Sequence, residues 1–249
     1  MKTVLITGCS SGFGLEIARY FLDRDWRVVA TMRTPRADVL PPSDPLRVLA
    51  LDVTRPESIR LAVEAAGPID VLVNNAGFGA AAPAELVPLE SVRAVFETNT
   101  IGTIAVTQAV LPQFRQRKAG VIVNVTSSVT LKALPLLAAY RASKVAVNAF
   151  TESMALELEP FGVRARLVLP GRAPGTRFGE NARAHIHGFE HEAYAGLVSE
   201  VLARLGDQSA PITEAQDVAE AVWRAATDPS CPMRLPAGAD AEAWAAEAR

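Results

Sequence analysis

The chain has 249 residues, of which 49% are apolar and 21% charged, so it can form one large α/β domain or two small ones around a sizeable core. Its formal net charge of -2, without a basic run, excludes the charge pattern of a nucleic-acid-binding protein. Cys9 and Cys231 form neither a disulfide framework nor zinc-ligand spacing, which fits a reducing compartment. The sequence shows no signal-peptide pattern and no membrane span, so we expect a cytoplasmic protein.

Short runs of Val, Ile and Leu recur along the first part of the chain, with helical stretches between them. These runs show almost no polar alternation, which is typical of parallel strands buried on both faces. Their alternation with helices predicts right-handed βαβ crossovers and a doubly wound α/β sheet. The predicted strands are Thr3–Thr7, Arg27–Thr31, Arg47–Leu51, Val71–Val73, Val121–Val125 and Arg164–Leu169. The predicted helices are Gly12–Arg24, Pro56–Ala66, Leu89–Arg117 and Ala142–Glu159, the last stopped by Pro160.

After Pro170 the alternation of strands and helices breaks down. In doubly wound sheets, ligands bind beyond the carboxyl ends of the strands. We therefore expect one dinucleotide-binding domain over residues 1–249, with a substrate lid inserted at about residues 172–207. The remaining predictions are loops at Pro35–Pro45 and Gly171–Arg183, helices at Glu190–Leu205 and Glu214–Thr227, an edge strand at Met233–Leu235 and a terminal helix at Ala239–Arg249.

A glycine-rich stretch, TGCSSGFG, lies between the first predicted strand and the first predicted helix. Gly8 allows the tight turn, Gly12 lets the backbone approach a pyrophosphate, and Gly14 allows the helix to pack closely on the strand. Ser10 and Ser11 can donate hydrogen bonds to phosphate oxygens. A glycine turn without a ligand is the alternative, and the position before a helix N-terminus argues against it.

The end of the second predicted strand indicates which nicotinamide cofactor is preferred. An acidic residue there would bind the ribose of NAD, but this chain has Arg33, whose guanidinium suits a 2′-phosphate. We therefore expect NADP(H) to be preferred over NAD(H), with a solvated surface arginine as the alternative. Asp52 can reach an adenine amino group or cap the next helix, where Thr54 is a further candidate cap before Pro56.

The sequence Asn75-Ala76-Gly77 follows the fourth predicted strand. Asparagine and glycine favour a turn at this point by themselves. A contact between these three residues and a cofactor is a separate hypothesis.

Tyr140 and Lys144 are four residues apart at the head of a predicted helix, so they share one face. Ser127 lies at the end of the strand that precedes them. A tyrosine can protonate the oxyanion that forms when a carbonyl is reduced, and a nearby ammonium should lower its pKa from about 10. Ser127 can donate to the carbonyl oxygen and orient it.

In chain order, these motifs resemble those of the short-chain dehydrogenase/reductase family: TGCSSGFG, LDVT, NNAG, ETNTIG, NVTSS, YRASK and the Pro170-Gly171 pair. The resemblance implies a seven-stranded Rossmann fold and a nicotinamide cofactor. It also implies a catalytic tetrad of Asn99, Ser127, Tyr140 and Lys144, in which the asparagine holds a water that links the lysine to solvent. The further cofactor contacts that it implies are Phe13, Val53, Pro170, Gly171 and Thr176.

The family resemblance also implies a homodimer or homotetramer, formed through the helices around Leu89–Arg117 and Ala142–Glu159. Within the family, the chain looks most like the branch of hydroxysteroid- and retinol-type reductases, which often prefers NADP(H). Thr130 departs from the family pattern, because a glycine is common there. The family threonine after Pro170-Gly171 is also displaced by one position, from Gly175 to Thr176.

Two further groups of residues offer weaker hypotheses. Arg172 and Arg177 flank the start of the predicted lid, where one of them could bind an acidic substrate group or a cofactor phosphate. His187 and His191 have the i, i+4 spacing of metal ligands, but no carboxylate or cysteine pattern supports a metal site and the reaction needs none. We expect these histidines, with His185, to line a pocket or the surface.

Three functions remain open from the sequence. The first is an NADP(H)-dependent carbonyl reductase or secondary-alcohol dehydrogenase that acts on a small molecule by hydride transfer. The second is a ketoreductase for β-ketoacyl thioesters, in which the lid arginines meet the phosphate of an acyl-carrier protein. The third is a non-catalytic NADP(H)-sensing regulator, which the presence of the whole tetrad disfavours. A methyltransferase would explain the glycine turn but not Ser127, Tyr140 and Lys144 together.

Overall fold

In the computed structural model, which describes residues 1–36, 38–207 and 209–248, seven strands form one parallel sheet. The strands are β1 (Thr3–Ile6), β2 (Arg27–Met32), β3 (Leu46–Ala50), β4 (Val71–Asn74), β5 (Gly120–Val125), β6 (Val163–Pro170) and β7 (Arg234–Ala237). Their order in the sheet is β3-β2-β1-β4-β5-β6-β7, with every neighbouring pair parallel. The predicted doubly wound, seven-stranded Rossmann fold is therefore confirmed.

Helices cover both faces of this sheet. They are α1 (Gly12–Leu22), α2 (Pro56–Ala66), α3 (Leu89–Phe96), α4 (Gly102–Arg117), α5 (Ala138–Leu158), α6 (Phe178–Ala182), α7 (Ala195–Gly206), α8 (Ala215–Thr227) and α9 (Ala239–Glu247). Arg249, included in the predicted terminal helix, lies outside the described residues.

The two faces of the sheet explain why the strand sequences lack polar alternation. In β1, Val4 and Ile6 belong to the apolar cluster that also contains Phe21 of α1, whereas Leu5 belongs to the opposite cluster with Phe114 of α4. Alternate residues therefore point into two different cores, and both cores need apolar side chains. Each such burial stabilises the fold by on the order of 1.5–3 kcal/mol. The two edge strands, β3 and β7, are only partly buried.

Several predicted element boundaries were wrong. The helix predicted over Leu89–Arg117 is interrupted by a π-helical turn at Glu97–Ile101. Helix α5 begins at Ala138, four residues before the predicted start at Ala142, and α7 begins at Ala195 rather than Glu190. The loop predicted after Pro170 contains the short helix α6.

Thr54 does not cap α2, since the N-cap residue is Arg55. The Thr54 hydroxyl instead donates to Asp52 Oδ1 at 2.7 Å, so Asp52 closes a local turn before the helix rather than capping it. Threonine side chains form such local bonds to neighbouring groups as readily as they cap helices.

The chain reverses its direction of travel across the sheet between β1 and β4, which places a crevice at the carboxyl ends of these strands. Residues 172–207, hereafter the insert, follow β6 and approach this crevice. Within the described residues, none of the helices has the length and apolar character needed to span a bilayer.

Candidate active site

The glycine turn after β1 depends on glycine for its conformation and its packing. Gly8 and Gly12 have positive φ values of 77° and 59°, which other residues rarely adopt. At Gly14, a Cβ would overlap the carbonyl oxygen of Gly8, so glycine is required for α1 to pack against the turn. Ser11 is the N-cap residue of α1, and among the described residues its side chain makes no capping bond. The first N–H groups of α1 thus form a cradle of the kind that binds phosphate.

The turn after β4 is held against the glycine turn by Thr7, a residue whose role was not predicted. Its hydroxyl accepts the N–H groups of Asn75 and Ala76, each at 3.0 Å, and the Asn75 amide donates to the Thr7 carbonyl at 2.9 Å. Asn75 therefore uses its side chain to join two loops. Gly77 packs against Asn99, whose Oδ1 would lie 2.8 Å from a Cβ at residue 77.

Arg33 and Asp52 lie together at the carboxyl ends of β2 and β3. Arg33 is exposed. Burial raises the pKa of Asp52, but the Thr54 hydrogen bonds and the charges of Arg33 and Arg55 outweigh it, so the pKa lies below its usual value. The carboxylate is thus ionised at neutral pH.

Three further residues lie at this end of the crevice: Val53 and Phe13, which were predicted cofactor contacts, and Arg36, which was not predicted. Val53 is 8% exposed and packs against Gly102, so its side chain is part of the core. Phe13 is partly buried against the core cluster under α1. Arg36 donates to the carbonyl of Ser10 at 2.9 Å, which brings a second guanidinium to the glycine turn. Because Arg36 lies in a stretch predicted only as a loop, no sequence signal identified it.

Ser127, Tyr140 and Lys144 are buried together where β5 ends and α5 begins. They are 8%, 6% and 6% exposed, respectively. The Lys144 ammonium donates to the Val125 carbonyl at 3.1 Å, and the Ser127 hydroxyl accepts the Val129 N–H at 3.3 Å. The structure therefore brings these three predicted residues into one site.

Burial dominates the electrostatics of this group. It raises the pKa of Tyr140 to about 12, with the Ser127 hydroxyl acting in the opposite direction. It lowers the pKa of Lys144 to about 8. The expectation that the Lys144 ammonium would bring the pKa of Tyr140 down was therefore wrong for the protein residues alone, because desolvation of the phenolate outweighs the neighbouring groups.

Asn99 lies in the π-helical turn between α3 and α4, a feature common at functional sites. Both ends of its side-chain amide are hydrogen-bonded to other protein groups. Oδ1 accepts the Phe78 N–H at 3.0 Å, while Nδ2 donates to the Phe78 carbonyl at 3.0 Å and to the Ser143 hydroxyl at 3.1 Å. Asn99 thus fixes the loop after β4 to α5, and its predicted contact with a water stays a prediction.

The start of the insert closes over the crevice. Thr176 lies against the glycine turn, with its Cβ 3.5 Å from where a Cβ of residue 12 would be. The Phe178 ring lies beside the Tyr140 ring, with centroids 5.7 Å apart. Both residues are therefore near the predicted cofactor and substrate positions. Pro170 ends β6 and pairs with Ala237 of β7.

The two arginines of the insert are bound to the protein itself. Arg172 donates to the carbonyls of Leu205 and Asp207 at 2.6 and 3.0 Å. Arg177 forms an exposed ion pair with Glu180 at 2.9 Å. These contacts favour a structural role for Arg172 and weaken the hypothesis that either arginine binds an acidic ligand.

Two of the three histidines connect the insert to other parts of the chain, and the third makes a bond within the insert. His185 stacks on Phe78 with ring centroids 4.4 Å apart, and burial lowers its pKa. His187 Nε2 lies 2.9 Å from the Ser91 hydroxyl, and His191 Nδ1 accepts the Ala193 N–H at 3.2 Å. Over residues 1–36, 38–207 and 209–248, no group of three or more His, Cys, Asp or Glu side chains is arranged to hold a metal ion.

Comparison with known proteins agrees with this geometry. The sequence matches the family model described as short chain dehydrogenase over residues 2–186, which is most of the chain. The chain belongs to the short-chain dehydrogenase family. Membership in this family establishes that the protein is an NAD(P)-dependent oxidoreductase. The matched region includes every residue of the glycine turn, the tetrad and the Pro170-Gly171 pair.

Two curated relatives and one solved structure illustrate how far the similarity extends. The uncharacterized oxidoreductase YusZ of Bacillus subtilis is 37% identical over 238 residues, covering 91% of this chain and 85% of the relative. Retinol dehydrogenase 8 of Bos taurus is 39% identical over 184 residues, covering 68% of this chain and 58% of the relative. A short chain dehydrogenase from Burkholderia cenocepacia in complex with NADP has a TM-score of 0.78 and 27% identity, with 99% and 93% of the two chains covered. The similarity to a retinol dehydrogenase agrees with the branch indicated by the sequence.

Proposed function

We propose that this short-chain dehydrogenase is an NADP(H)-dependent carbonyl reductase or secondary-alcohol dehydrogenase in which Tyr140 exchanges a proton with the substrate oxygen. The observation that carries the proposal is the joint burial of Ser127, Tyr140 and Lys144 at the carboxyl end of β5, beside the cradle formed by the glycine turn.

The residues at the crevice fit a dinucleotide. The N–H groups at the start of α1, with Ser10 and Ser11, would hold the pyrophosphate, and Asp52 would accept the adenine amino group. Asn75, Ala76, Gly77, Gly171 and Thr176 would line the remainder of the site. When bound, the nicotinamide supplies or accepts the hydride.

Two arginines support the proposed preference for NADP(H). Arg33 is exposed at the end of β2, and Arg36 lies against the glycine turn through its bond to Ser10. A ribose 2′-phosphate is a dianionic acceptor that suits guanidinium groups, whereas the ribose hydroxyl of NAD is usually bound by a carboxylate. Asp52, at the end of the neighbouring strand β3, is already bonded to Thr54 through Oδ1.

The protonation states of the buried group favour reduction near neutral pH. With its pKa raised to about 12, Tyr140 carries the proton that a reduced carbonyl oxygen needs. Ser127 would donate to the same oxygen and fix its orientation. Lys144, with a pKa of about 8, is mainly charged at pH 7 and would stabilise the phenolate left after proton transfer.

The remaining hypotheses from the sequence receive less support. Arg172 and Arg177 are both bonded within the chain, which weakens the idea that they meet the phosphate of an acyl-carrier protein. Family membership argues against a purely regulatory role.

A homodimer or homotetramer through α3, α4 and α5 also remains a proposal. It is supported by apolar side chains on these helices, since Leu89 is 63% exposed and Leu156 is 74% exposed. Apolar surface of this kind is a common property of protein interfaces.

The test is NADPH oxidation by the purified protein against a panel of steroid ketones, retinal-like aldehydes, β-ketoacyl thioesters and diketones. We expect turnover of at least one class, and a loss on the order of 10²–10⁴-fold in kcat for Tyr140→Phe. Tyr194→Phe is the matched control, because its hydroxyl bonds to Glu85 at 2.5 Å and is not part of the buried group. Full activity of Tyr140→Phe would overturn the proposed role of the tyrosine.

A further inference from the structure

A buried carboxylate, Asp240, lies in the first turn of α9 and outside the region that matches the family model. It is 7% exposed. Its Oδ2 accepts the Arg172 N–H at 2.6 Å, and its Oδ1 accepts the Thr213 hydroxyl at 2.7 Å. A carboxylate is costly to bury unless it is hydrogen-bonded in this way, and these two bonds are charge-assisted.

The two bonds join both ends of the insert. Arg172 is the first residue of the insert, and Thr213 follows shortly after its last residue. Their backbones are also bonded directly, because the Thr213 N–H donates to the Arg172 carbonyl at 2.8 Å. The Arg172 guanidinium adds its bonds to the carbonyls of Leu205 and Asp207. The two ends of the insert therefore meet in one hydrogen-bonded cluster, which consists of Arg172, Thr213 and Asp240 with Asp240 at its centre.

The same cluster fixes Gly171, which precedes the insert. Its N–H donates to the Thr213 hydroxyl oxygen at 2.9 Å. A Cβ at residue 171 would overlap the Asp240 carboxylate, so the space that a side chain would need is filled by α9. Glycine is required here by this close approach rather than by a left-handed backbone. The Pro170-Gly171 pair is thus matched to a residue far away in the sequence.

We propose that Asp240 is a positioning residue, which acts through Thr213 to hold Gly171 and both ends of the insert in place beside the nicotinamide site. This rests on the proposed function, which assigns Gly171 to cofactor binding. Removal of the carboxylate leaves the Arg172 N–H without its acceptor and leaves the Thr213 hydroxyl with the Ala237 carbonyl at 2.9 Å as its remaining acceptor. With fewer bonds to hold them, residues 170–172 can shift. A displacement of about 1 Å in a site of this kind can cost on the order of 10²-fold in rate.

Four variants test the proposal. Asp240→Ala removes both bonds, and Thr213→Val removes the hydroxyl with little change of shape. Asp240→Asn keeps an acceptor for Arg172 and offers a donor to Thr213. Glu242→Ala is the matched control, because it removes an exposed carboxylate from the same helix. The measurements are the NADPH dissociation constant, from fluorescence titration, and KM and kcat, with thermal unfolding as the check of folding.

We expect Asp240→Ala to raise the dissociation constant and KM for NADPH by about 10- to 100-fold and to lower kcat. Asp240→Asn should recover most of this loss, and Glu242→Ala should match the wild type. A purely structural role would lower thermal stability and leave the cofactor constants of the folded enzyme unchanged. If Asp240→Ala does not fold, Thr213→Val decides by the same readouts.

The outcomes separate this proposal from the proposed function. If the wild type reduces a carbonyl with NADPH and the cofactor constants of folded Asp240→Ala and Thr213→Val are unchanged, the positioning role is overturned while the proposed function stands. If the wild type neither binds nor oxidises NADPH, the proposed function fails. Amide hydrogen exchange then tests separately whether Asp240 holds the insert in place. Faster exchange in Asp240→Ala confined to residues 171–176 and 210–213 would then support the hold on the insert, and unchanged exchange would overturn it.

Discussion

Ser127, Tyr140 and Lys144 are buried where β5 ends and α5 begins, whereas the insert lies over the crevice with much of its apolar surface exposed. The three proposed catalytic side chains are at most 8% exposed, but Phe178, Leu202 and Leu205 of the insert are 39%, 50% and 55% exposed. Chemistry that needs fixed distances is thus built on the buried scaffold. We propose that substrate recognition belongs to the insert, because a segment with less buried surface can change shape at lower cost.

The attachment of the insert is correspondingly local. Ile186 forms an isolated β-bridge with Ala81, and Tyr194 bonds to Glu85. At its ends the insert depends on Asp240 and Thr213, as described above. Substitutions in the scaffold should therefore abolish activity or cofactor binding, while substitutions in the insert should mainly change which substrates are accepted.

The largest effect is expected for Lys144→Met. Loss of the buried ammonium removes the charge that stabilises a tyrosine phenolate, so we expect kcat to fall on the order of 10²–10⁴-fold. Lys118→Met is the matched control, because Lys118 is exposed and precedes the amino end of β5, whereas the site lies at the carboxyl end. Steady-state kinetics on both variants checks this, and activity within tenfold of the wild type in Lys144→Met would contradict the proposed role.

Arg33→Ala should change cofactor choice. A hydrogen bond to a charged group contributes about 1.5–3 kcal/mol, so we expect the KM for NADPH to rise by roughly 10- to 100-fold and the KM for NADH to stay the same. Arg55→Ala is the control, since Arg55 also lowers the pKa of Asp52 but lies before α2. Equal effects on both cofactors would show that Arg33 does not bind the 2′-phosphate.

The buried lysine should also produce a pH-dependent stability. Its pKa is lowered from 10.5 to about 8, so between these values the unfolded chain binds more protons than the folded protein. In that window the free energy of unfolding should rise with pH, by at most about 1.4 kcal/mol per pH unit. Below pH 8 the charged lysine destabilises the fold throughout, and the contribution no longer changes.

Denaturant unfolding of the wild type and Lys144→Met between pH 8 and pH 10 measures this contribution as the difference between the two proteins. Burial raises the pKa of Cys9 to about 12, so Cys9 acts in the opposite direction at high pH, but it is present in both proteins and cancels in the comparison. Tyr140, whose pKa burial raises from 10.0 to about 12, acts in that direction mainly above pH 10. A difference that does not change with pH would contradict the lowered pKa.

The smallest effect is expected for Phe178→Ala in the insert. The Phe178 ring lies beside Tyr140, so we expect it to contact a bulky apolar carbonyl bound there. An aromatic contact of this kind contributes about 0.5–1.5 kcal/mol, so its loss should raise the KM for such a substrate by roughly 2- to 12-fold with little change in kcat. Leu202→Ala, another exposed apolar residue of the insert, is the control. A large loss of kcat in Phe178→Ala would mean that the insert takes part in chemistry, and the contrast between the two regions would fail.

The sequence was sufficient for the parts of the site that depend on local order. The apolar runs and glycine spacing placed the cradle after β1, and the four-residue spacing placed Tyr140 and Lys144 on one face of α5. The π-helical turn at Glu97–Ile101 was not predictable from the sequence. A single π-helical turn changes the hydrogen bonding of the backbone but leaves the apolar pattern of the flanking helices looking like that of one continuous helix. The same limit applies to Thr7, whose hydroxyl meets partners 68 and 69 residues away.

By itself, the sequence determined the alternation of strands and helices up to β6, although not every boundary, because periods of 2 and 3.6 residues are properties of neighbouring positions. The tertiary structure decided which distant groups meet: Arg36 against Ser10, Phe178 beside Tyr140, and Asp240 in the space left by Gly171. It also reversed the expected direction of the Tyr140 pKa shift. The reason is common to all of these cases, since burial and contact depend on the path of the whole chain and not on the spacing of residues along it.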